Sequence, residues 1–122
     1  MMGAWNGRLW IQIMGQDDWT GDTDLNQSIY ENLIQTCDML QQNCGVYSSY
    51  EDWYSIFGDP NYCYGQNHRL WYFNDNNMNN FDDYVEFGCW PQAAVWGKTY
   101  TDMELAGAYC NVSVGLVYIP SQ

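Results

Sequence analysis

Apolar residues in this chain come in short runs, separated by polar stretches rich in Asn, Asp and Gly. Residues 8–14 (RLWIQIM) form an apolar run closed by Gly15, which predicts a buried strand. Residues 17–24 are polar and turn-like. From about Leu25 the spacing changes: Leu25, Ile29, Leu33 or Ile34, Cys37 and Leu40 recur every three or four residues. That period predicts a long helix, with Asp22 or Asp24 as its N-cap and Gly45 beyond its end. Val46-Tyr47 reads as a short strand, and residues 50–57 as a turn or two of helix stopped by Gly58-Asp59-Pro60. Residues 70–73 (LWYF), 93–96 and 112–118 are the remaining strand candidates, and the Asn-rich stretch 74–80 is an irregular loop. Five strands, a long helix, no linker and no internal repeat predict one α/β domain over 1–122 with a partly parallel sheet.

Composition narrows the function classes. Apolar residues make up 47% of the chain and aromatics 18%, enough material for a core and unlike a disordered segment. Fifteen acids face only Arg8, Arg69 and Lys98, for a net charge of −12. Such a field repels nucleic acid and anionic lipid, so neither is an expected partner. It is read first as a solvated surface, and it also suits a basic protein partner. No apolar run approaches the roughly 18 residues of a membrane span, and Met1-Met2-Gly3-Ala4-Trp5 does not read as a signal peptide.

Five cysteines, Cys37, Cys44, Cys63, Cys89 and Cys110, leave at least one without an intrachain partner and form no C-x-x-C pair. Cys37 and Cys44 are close enough in sequence to staple the helix end to the next strand, without establishing that they do. The sequons Asn26-Gln27-Ser28 and Asn111-Val112-Ser113 suit a secreted protein, and arise by chance in an Asn-rich chain.

Taken in order, these segments resemble the C-terminal part of family 25 glycoside hydrolases, the lysozyme (N-acetylmuramidase) family, in its eukaryotic branch. The family's aromatic-aliphatic-Asp-aliphatic-Glu-Gly strand is matched by Trp10-Ile11-Gln12-Ile13-Met14-Gly15. Its polar loop with an aromatic is matched by Asp18-Trp19, and a long helix follows. Gly45-Val46-Tyr47-Ser48 and Trp53, Leu70-Trp71-Tyr72, the Asn-rich loop, Phe87-Gly88-Cys89-Trp90 and Val95-Trp96 then fall in family order. Cys110-Asn111-Val112-Ser113-Val114-Gly115-Leu116-Val117 resembles the family's last strand. The resemblance runs from about Arg8 to Tyr118 and rests on the ordered series, since no single motif is specific.

It implies a partial TIM-barrel-like fold, about the last five strands, with the active site at the carboxyl ends of the strands. It also implies that the catalytic set is degenerate. The strand Asp falls on Gln12, the acid Glu on Met14 and the late Asp on Gly115, none of which carries charge or transfers a proton at neutral pH. No cofactor or metal is implied. Five strands of an eight-stranded barrel leave open edges, so a second copy or another protein is expected to complete the sheet. By resemblance the compartment is extracellular or the endomembrane lumen.

Trp10, Tyr47, Trp53, Trp71, Tyr72 and Trp96 are candidates for a sugar-stacking groove, with core packing the simpler role for most of them. Tyr47, Trp71 and Trp96 are kept as ligand-binding residues because the resemblance places them towards the strand ends. Residues 75–86 carry oxygens at loop positions one, three, five, nine and twelve, as an EF-hand does, but Asn80 replaces its glycine and the flanks are not two helices. His68, the single histidine, reads as a surface or loop residue. The adjacent pairs Asp17-Asp18 and Asp82-Asp83 read as solvated turns, although in principle they could replace the lost carboxylates. The expected function is a catalytically inactive structural subunit or binding module. The alternatives are a glycan-binding pseudoenzyme and, last, a muramidase with relocated carboxylates.

Overall fold

The computed structural model describes residues 2–5, 7–106 and 111–119. In chain order the elements are β1 (Met2–Trp5), β2 (Arg8–Ile13), α1 (Thr23–Met39), β3 (Cys44–Ser48), α2 (Tyr50–Phe57), β4 (Arg69–Phe73), β5 (Val95–Ala106) and β6 (Asn111–Tyr118). Single 3₁₀ turns precede α1 at Gln16–Asp18 and β5 at Gln92–Ala94.

The six strands form one mixed sheet in the order β1-β2-β3-β4-β5-β6. β2 to β5 are parallel, and antiparallel partners flank them at both edges. Strand neighbours are sequence neighbours throughout, so the order reversal of a doubly wound sheet is absent among the described strands. No described pairing joins β1 to β6. The fold is thus α/β, with a six-stranded mixed sheet that shows no barrel closure among the described residues.

The helix limits follow from local chemistry. Asp22 caps α1 by accepting the N–H groups of Asp24 and Leu25, and its carboxylate faces the positive end of the helix. Ser49 caps α2 by accepting the Asp52 N–H at 3.1 Å, and Gly58, at φ 82°, ends that helix in the left-handed conformation. Gly45 belongs to β3 rather than to the helix end. It has a packing reason to be glycine, since a Cβ there would come within 2.4 Å of the Trp10 ring.

β1 is the strand the hydrophobic pattern does not predict. Four residues carry little periodicity, and the signal lies in the turn: Asn6-Gly7 is a two-residue hairpin sequence, and Gly7 has φ 74°. β5 begins at Val95, two residues later than the sequence predicts, and runs far longer, because its second half pairs with β6. A β-bulge between β4 and β5 puts Trp96 and Gly97 together opposite Trp71.

Alternation along the strands sorts the core. Ile11, Ile13, Cys44, Val46, Leu70, Tyr72 and Val95 face α1, α2 and the β4–β5 loop, and are buried there with Tyr30, Ile34, Trp53, Ile56, Phe57, Phe87 and Trp90. Trp53 is wholly buried and Tyr72 nearly so, which assigns both to the core, although Tyr72 also reaches the wall of the cleft described below. Two disulfides brace this side: Cys37–Cys44 joins α1 to β3, and Cys63–Cys89 joins the two loops that flank β4. Cys110 lies outside the described residues.

The first sequon is not an open surface site. Asn26 is 1% exposed, and its amide donates to the carbonyls of Thr20 and Ile56 while its Oδ1 accepts from the Thr20 hydroxyl and N–H. An amide held this way is not presented for modification. No described helix is long and apolar enough to cross a membrane.

Candidate functional site

The face of the sheet opposite the helices carries the other half of each strand's alternation. Trp10, Tyr47, Trp71 and Trp96 meet there. Tyr47 and Trp71 stack with centroids 4.3 Å apart, Trp71 lies 5.7 Å from Trp96, and Trp10 lies 5.4 Å from Trp71 and 5.0 Å from Trp96. The three sequence-predicted ligand residues are therefore one cluster, each half-buried, with the buried Trp10 at its base. The Tyr47 hydroxyl donates to Thr99 Oγ1 at 3.2 Å, fixing the ring across the sheet. The Trp10 indole N–H finds no acceptor among the described residues.

Register places Gln12, Met14 and Gly115, the positions where the family pattern leads one to expect carboxylates, relative to this cluster. Gln12 pairs with Tyr47, Tyr47 with Trp71 and Trp71 with Gly97, giving one row across four strands, towards the carboxyl ends of β2 and β3, at the middle of β4 and near the start of β5. Gln12 is exposed at the end of that row, and Met14 is half-buried just past the end of β2. Gly115 is not brought to the row. It pairs with Asp102 on the antiparallel edge, five residues beyond Gly97 of the row, or roughly 16 Å along the strand. On the described strands β2 to β4, this face carries no carboxylate.

Carboxylates do gather next to the row. A cleft of about 530 Å³ opens beyond the ends of β3 and β4, between α2 and the β4–β5 loop, and its lining includes Glu51, Asp52, Phe73, Asn74, Asp83 and Val85. Strand ends of this kind are the ordinary ligand position of parallel sheets. Asp52 is committed to structure: its carboxylate accepts from the Ser49 hydroxyl at 2.6 Å and from the Gly15 N–H at 3.3 Å, tying α2 to the end of β2.

Asp83 is not the solvated turn residue its neighbour Asp82 suggests. Its side chain is 14% exposed and pairs at 2.6 Å with Lys98, which is fully buried. The Tyr72 hydroxyl and the Asn74 amide also donate to it, at 2.9 and 2.6 Å. Burial alone would raise its pKa, but the hydrogen bonds from Lys98, Tyr72 and Asn74 outweigh burial and hold the carboxyl below its usual range. The same bond works with burial in the other direction on Tyr72, whose hydroxyl is pushed well up.

Lys98 also organises the Asn-rich loop. Its ammonium donates to Asn76 Oδ1 at 3.0 Å and to the carbonyls of Met78 and Asn80 at 2.8 and 2.9 Å. The oxygens that converge belong to residues 76, 78, 80 and 83 rather than to the full EF-hand set of 75, 77, 79, 83 and 86, and the cation they surround is a lysine. Among the described residues no three His, Cys, Asp or Glu side chains form a metal-binding group.

His68 is a loop residue, as the sequence suggests, but it is not a free surface group. Its Nε2 lies 2.9 Å from Asp38 Oδ1 and its Nδ1 3.3 Å from the Cys44 carbonyl. Asp17 and Asp18 are exposed in the 3₁₀ turn, where they act as the solvated pair expected of them.

Sequence reasoning passed over Lys98, Asp52 and Asn74. The signals were present: a single lysine inside an apolar strand needs oxygen partners when buried, and Ser49-Tyr50-Glu51-Asp52 is a helix-start pattern with an acid at its third position.

Comparison with known proteins places the chain. Residues 3–100 match the family model described as lysozyme-like protein 1, a span that ends before β6 and Gly115. The chain is 33% identical over 115 residues to Probable GH family 25 lysozyme 4 of Dictyostelium discoideum, covering 94% of this chain and 50% of that protein. It is 30% identical over 115 residues to Lysozyme-like protein 5 of Caenorhabditis elegans, covering 92% and 49%. It is also 31% identical over 115 residues to Counting factor 45-1 of Dictyostelium discoideum, covering 93% and 36%. The chain thus spans half or less of the length of these relatives. No solved structure matches it with significance. The ordered strands, the aromatic row across them and the family match agree: this chain belongs to the lysozyme-like proteins of glycoside hydrolase family 25.

Proposed function

We propose that this chain is a non-catalytic lysozyme-like domain whose aromatic sheet face is an interaction surface within a larger assembly. The observation that carries the reading is the row Gln12–Tyr47–Trp71–Gly97, which has aromatic rings and an amide where glycoside hydrolysis needs an acid and a second carboxylate. Each positioned acid or base contributes about a hundredfold or more, so a site lacking both is slowed by several powers of ten. Two of the three acids lining the cleft are engaged elsewhere, Asp52 by Ser49 and Gly15 and Asp83 by Lys98, which leaves Glu51 one carboxylate short of the pair the reaction needs.

A partial barrel fits the topology. Parallel strands in chain order with both helices on one face are what an arc of a barrel presents, and the match covers only 50% of the Dictyostelium lysozyme. On this reading a second copy or another protein covers the open edges. With −12 on each copy, a partner of lower negative charge is the better complement. The two disulfides suit an extracellular or luminal compartment.

A glycan-binding pseudoenzyme is the second reading, favoured by the half-exposed Tyr47, Trp71 and Trp96 beside an open cleft at the strand ends. Co-sedimentation with insoluble peptidoglycan and chitin, run beside size-exclusion with light scattering, separates the two. Saturable pelleting competed by soluble oligosaccharide selects the glycan reading. Absence of pelleting together with a stable dimer or hetero-complex selects the assembly reading. A well-behaved monomer that binds neither glycan nor protein contradicts both.

A further inference from the structure

We propose that Arg8 and Arg69 form a binding site for an oxyanion, meaning a carboxylate, sulfate or phosphate group, at the amino ends of β2 and β4. The site lies on the sheet face opposite the helices, next to the Trp10 base of the aromatic cluster and at the end of the strands away from the cleft. The chain has three cations, and Lys98 is neutralised by Asp83, so these two arginines hold all its remaining Lys and Arg charge. Alternation puts both on this face: Arg8 is in phase with Trp10 and Gln12, and Arg69 with Trp71 and Phe73. Register sets them on either side of β3, since Gly45 pairs with Trp10, two residues after Arg8, on one side and with Arg69 on the other, a separation that two long arginine side chains can span.

Gly45 is what lets Arg8 reach inward. With no side chain there, the arginine stem lies across β3, where a Cβ on Gly45 would meet Arg8 Cδ at 3.0 Å. The guanidinium is then held in two ways, by donating from Nη1 to the Cys44 carbonyl at 2.8 Å and by packing 5.8 Å from the Trp10 ring centroid. One contact to a carbonyl leaves most of its five N–H donors unused. A guanidinium fixed in this way loses little further entropy when an oxyanion bridges it to a second arginine.

No carboxylate among the described residues pairs with either arginine, although the chain has fifteen. Asp38 pairs instead with His68, the residue before Arg69. Arg69 is exposed, and its side chain makes no described hydrogen bond. Two like charges on one face without a counter-ion repel, and an oxyanion bound between them relieves that repulsion. Burial first, and then the Arg69 charge, already weaken the protonated form of Arg8. The net charge does not forbid the site, since exposed charges farther than about 10 Å are largely screened at 0.1 M salt.

The test is titration of the full chain with sodium sulfate and with sodium acetate, against sodium chloride at matched ionic strength, following the Arg8 and Arg69 Nε–H resonances by NMR. The proposal expects saturable shifts at both arginines with at least one oxyanion and none with chloride. It also expects Arg69→Gln, which leaves every described hydrogen bond in place, to weaken the Arg8 response about tenfold or more. A tighter response to sulfate marks a tetrahedral anion, and one to acetate marks a carboxylate borne by a partner or a saccharide. Shifts that never saturate, that chloride reproduces, or that persist at Arg8 in a folded Arg69→Gln chain overturn it.

Discussion

The two faces of this sheet are built from the same kind of residue and differ in how completely they are finished. On the helix side, large aromatics are buried with their polar atoms answered: Tyr30 donates to the Tyr64 carbonyl, Trp53 to that of Tyr62 and Trp90 to that of His68. Trp19, at the margin, is an exception, with no described acceptor for its indole N–H. On the other face, Tyr47, Trp71 and Trp96 stay half-exposed and the Trp10 N–H has no described acceptor. A core satisfies its own polar groups because burying them unpaired costs about 1–3 kcal/mol each. A face that leaves rings half-exposed is better suited to being covered by something else.

The contrast is broken first by attacking the helix side. Trp53→Ala empties a fully buried site and should cost about 3–5 kcal/mol, most of the stability of a small domain, read by urea unfolding. Lys98→Met should cost a similar ~3–5 kcal/mol, because it leaves Asp83 enclosed without its cation. Adding Asp83→Asn should return part of that loss, which a purely steric role for Lys98 does not predict. Reducing Cys63–Cys89, or replacing both cysteines with serine, should remove about 3 kcal/mol by freeing a 26-residue separation in the unfolded chain.

Changes on the open face should be milder for folding and larger for binding. Trp71→Ala, half-buried in the aromatic row, should lower stability by only about 1–2 kcal/mol. It should nevertheless abolish pelleting with glycan or the association seen by light scattering, whichever the wild-type chain shows. The smallest effect is with pH. Asp83's folded pKa lies below its unfolded value, so its contribution is fully present above about pH 4 and lost as pH falls through the folded value. Asp83→Asn should flatten that acid limb in a melting series, and an unchanged limb would assign it to other carboxylates.

Most of the fold was legible because the strands and α1 carry strong period, and Asp22 and Gly58 punctuate the helices as their chemistry demands. β1 was not, since its evidence lies in a two-residue turn rather than in periodicity. The convergence of Tyr47, Trp71 and Trp96 followed from the family series, whereas the network at Lys98 did not. Its partners are carbonyls and amides of a low-complexity loop, and backbone oxygens have no signature in sequence. Gly115 illustrates a different limit: matching a motif gave it a role, but its strand runs antiparallel at the edge, away from the row that Gln12 occupies.

The central claim is the loss of hydrolysis, and release of reducing ends from peptidoglycan measures it directly. The account predicts no release above blank by the folded wild-type chain, alone or with its partner, across pH 4–8, a window that brackets ordinary carboxylate and histidine pKa values (~4 to ~6.5). Release that Asp18→Ala or Asp52→Asn abolishes, with the fold intact, would contradict it and make this chain a muramidase with relocated acids.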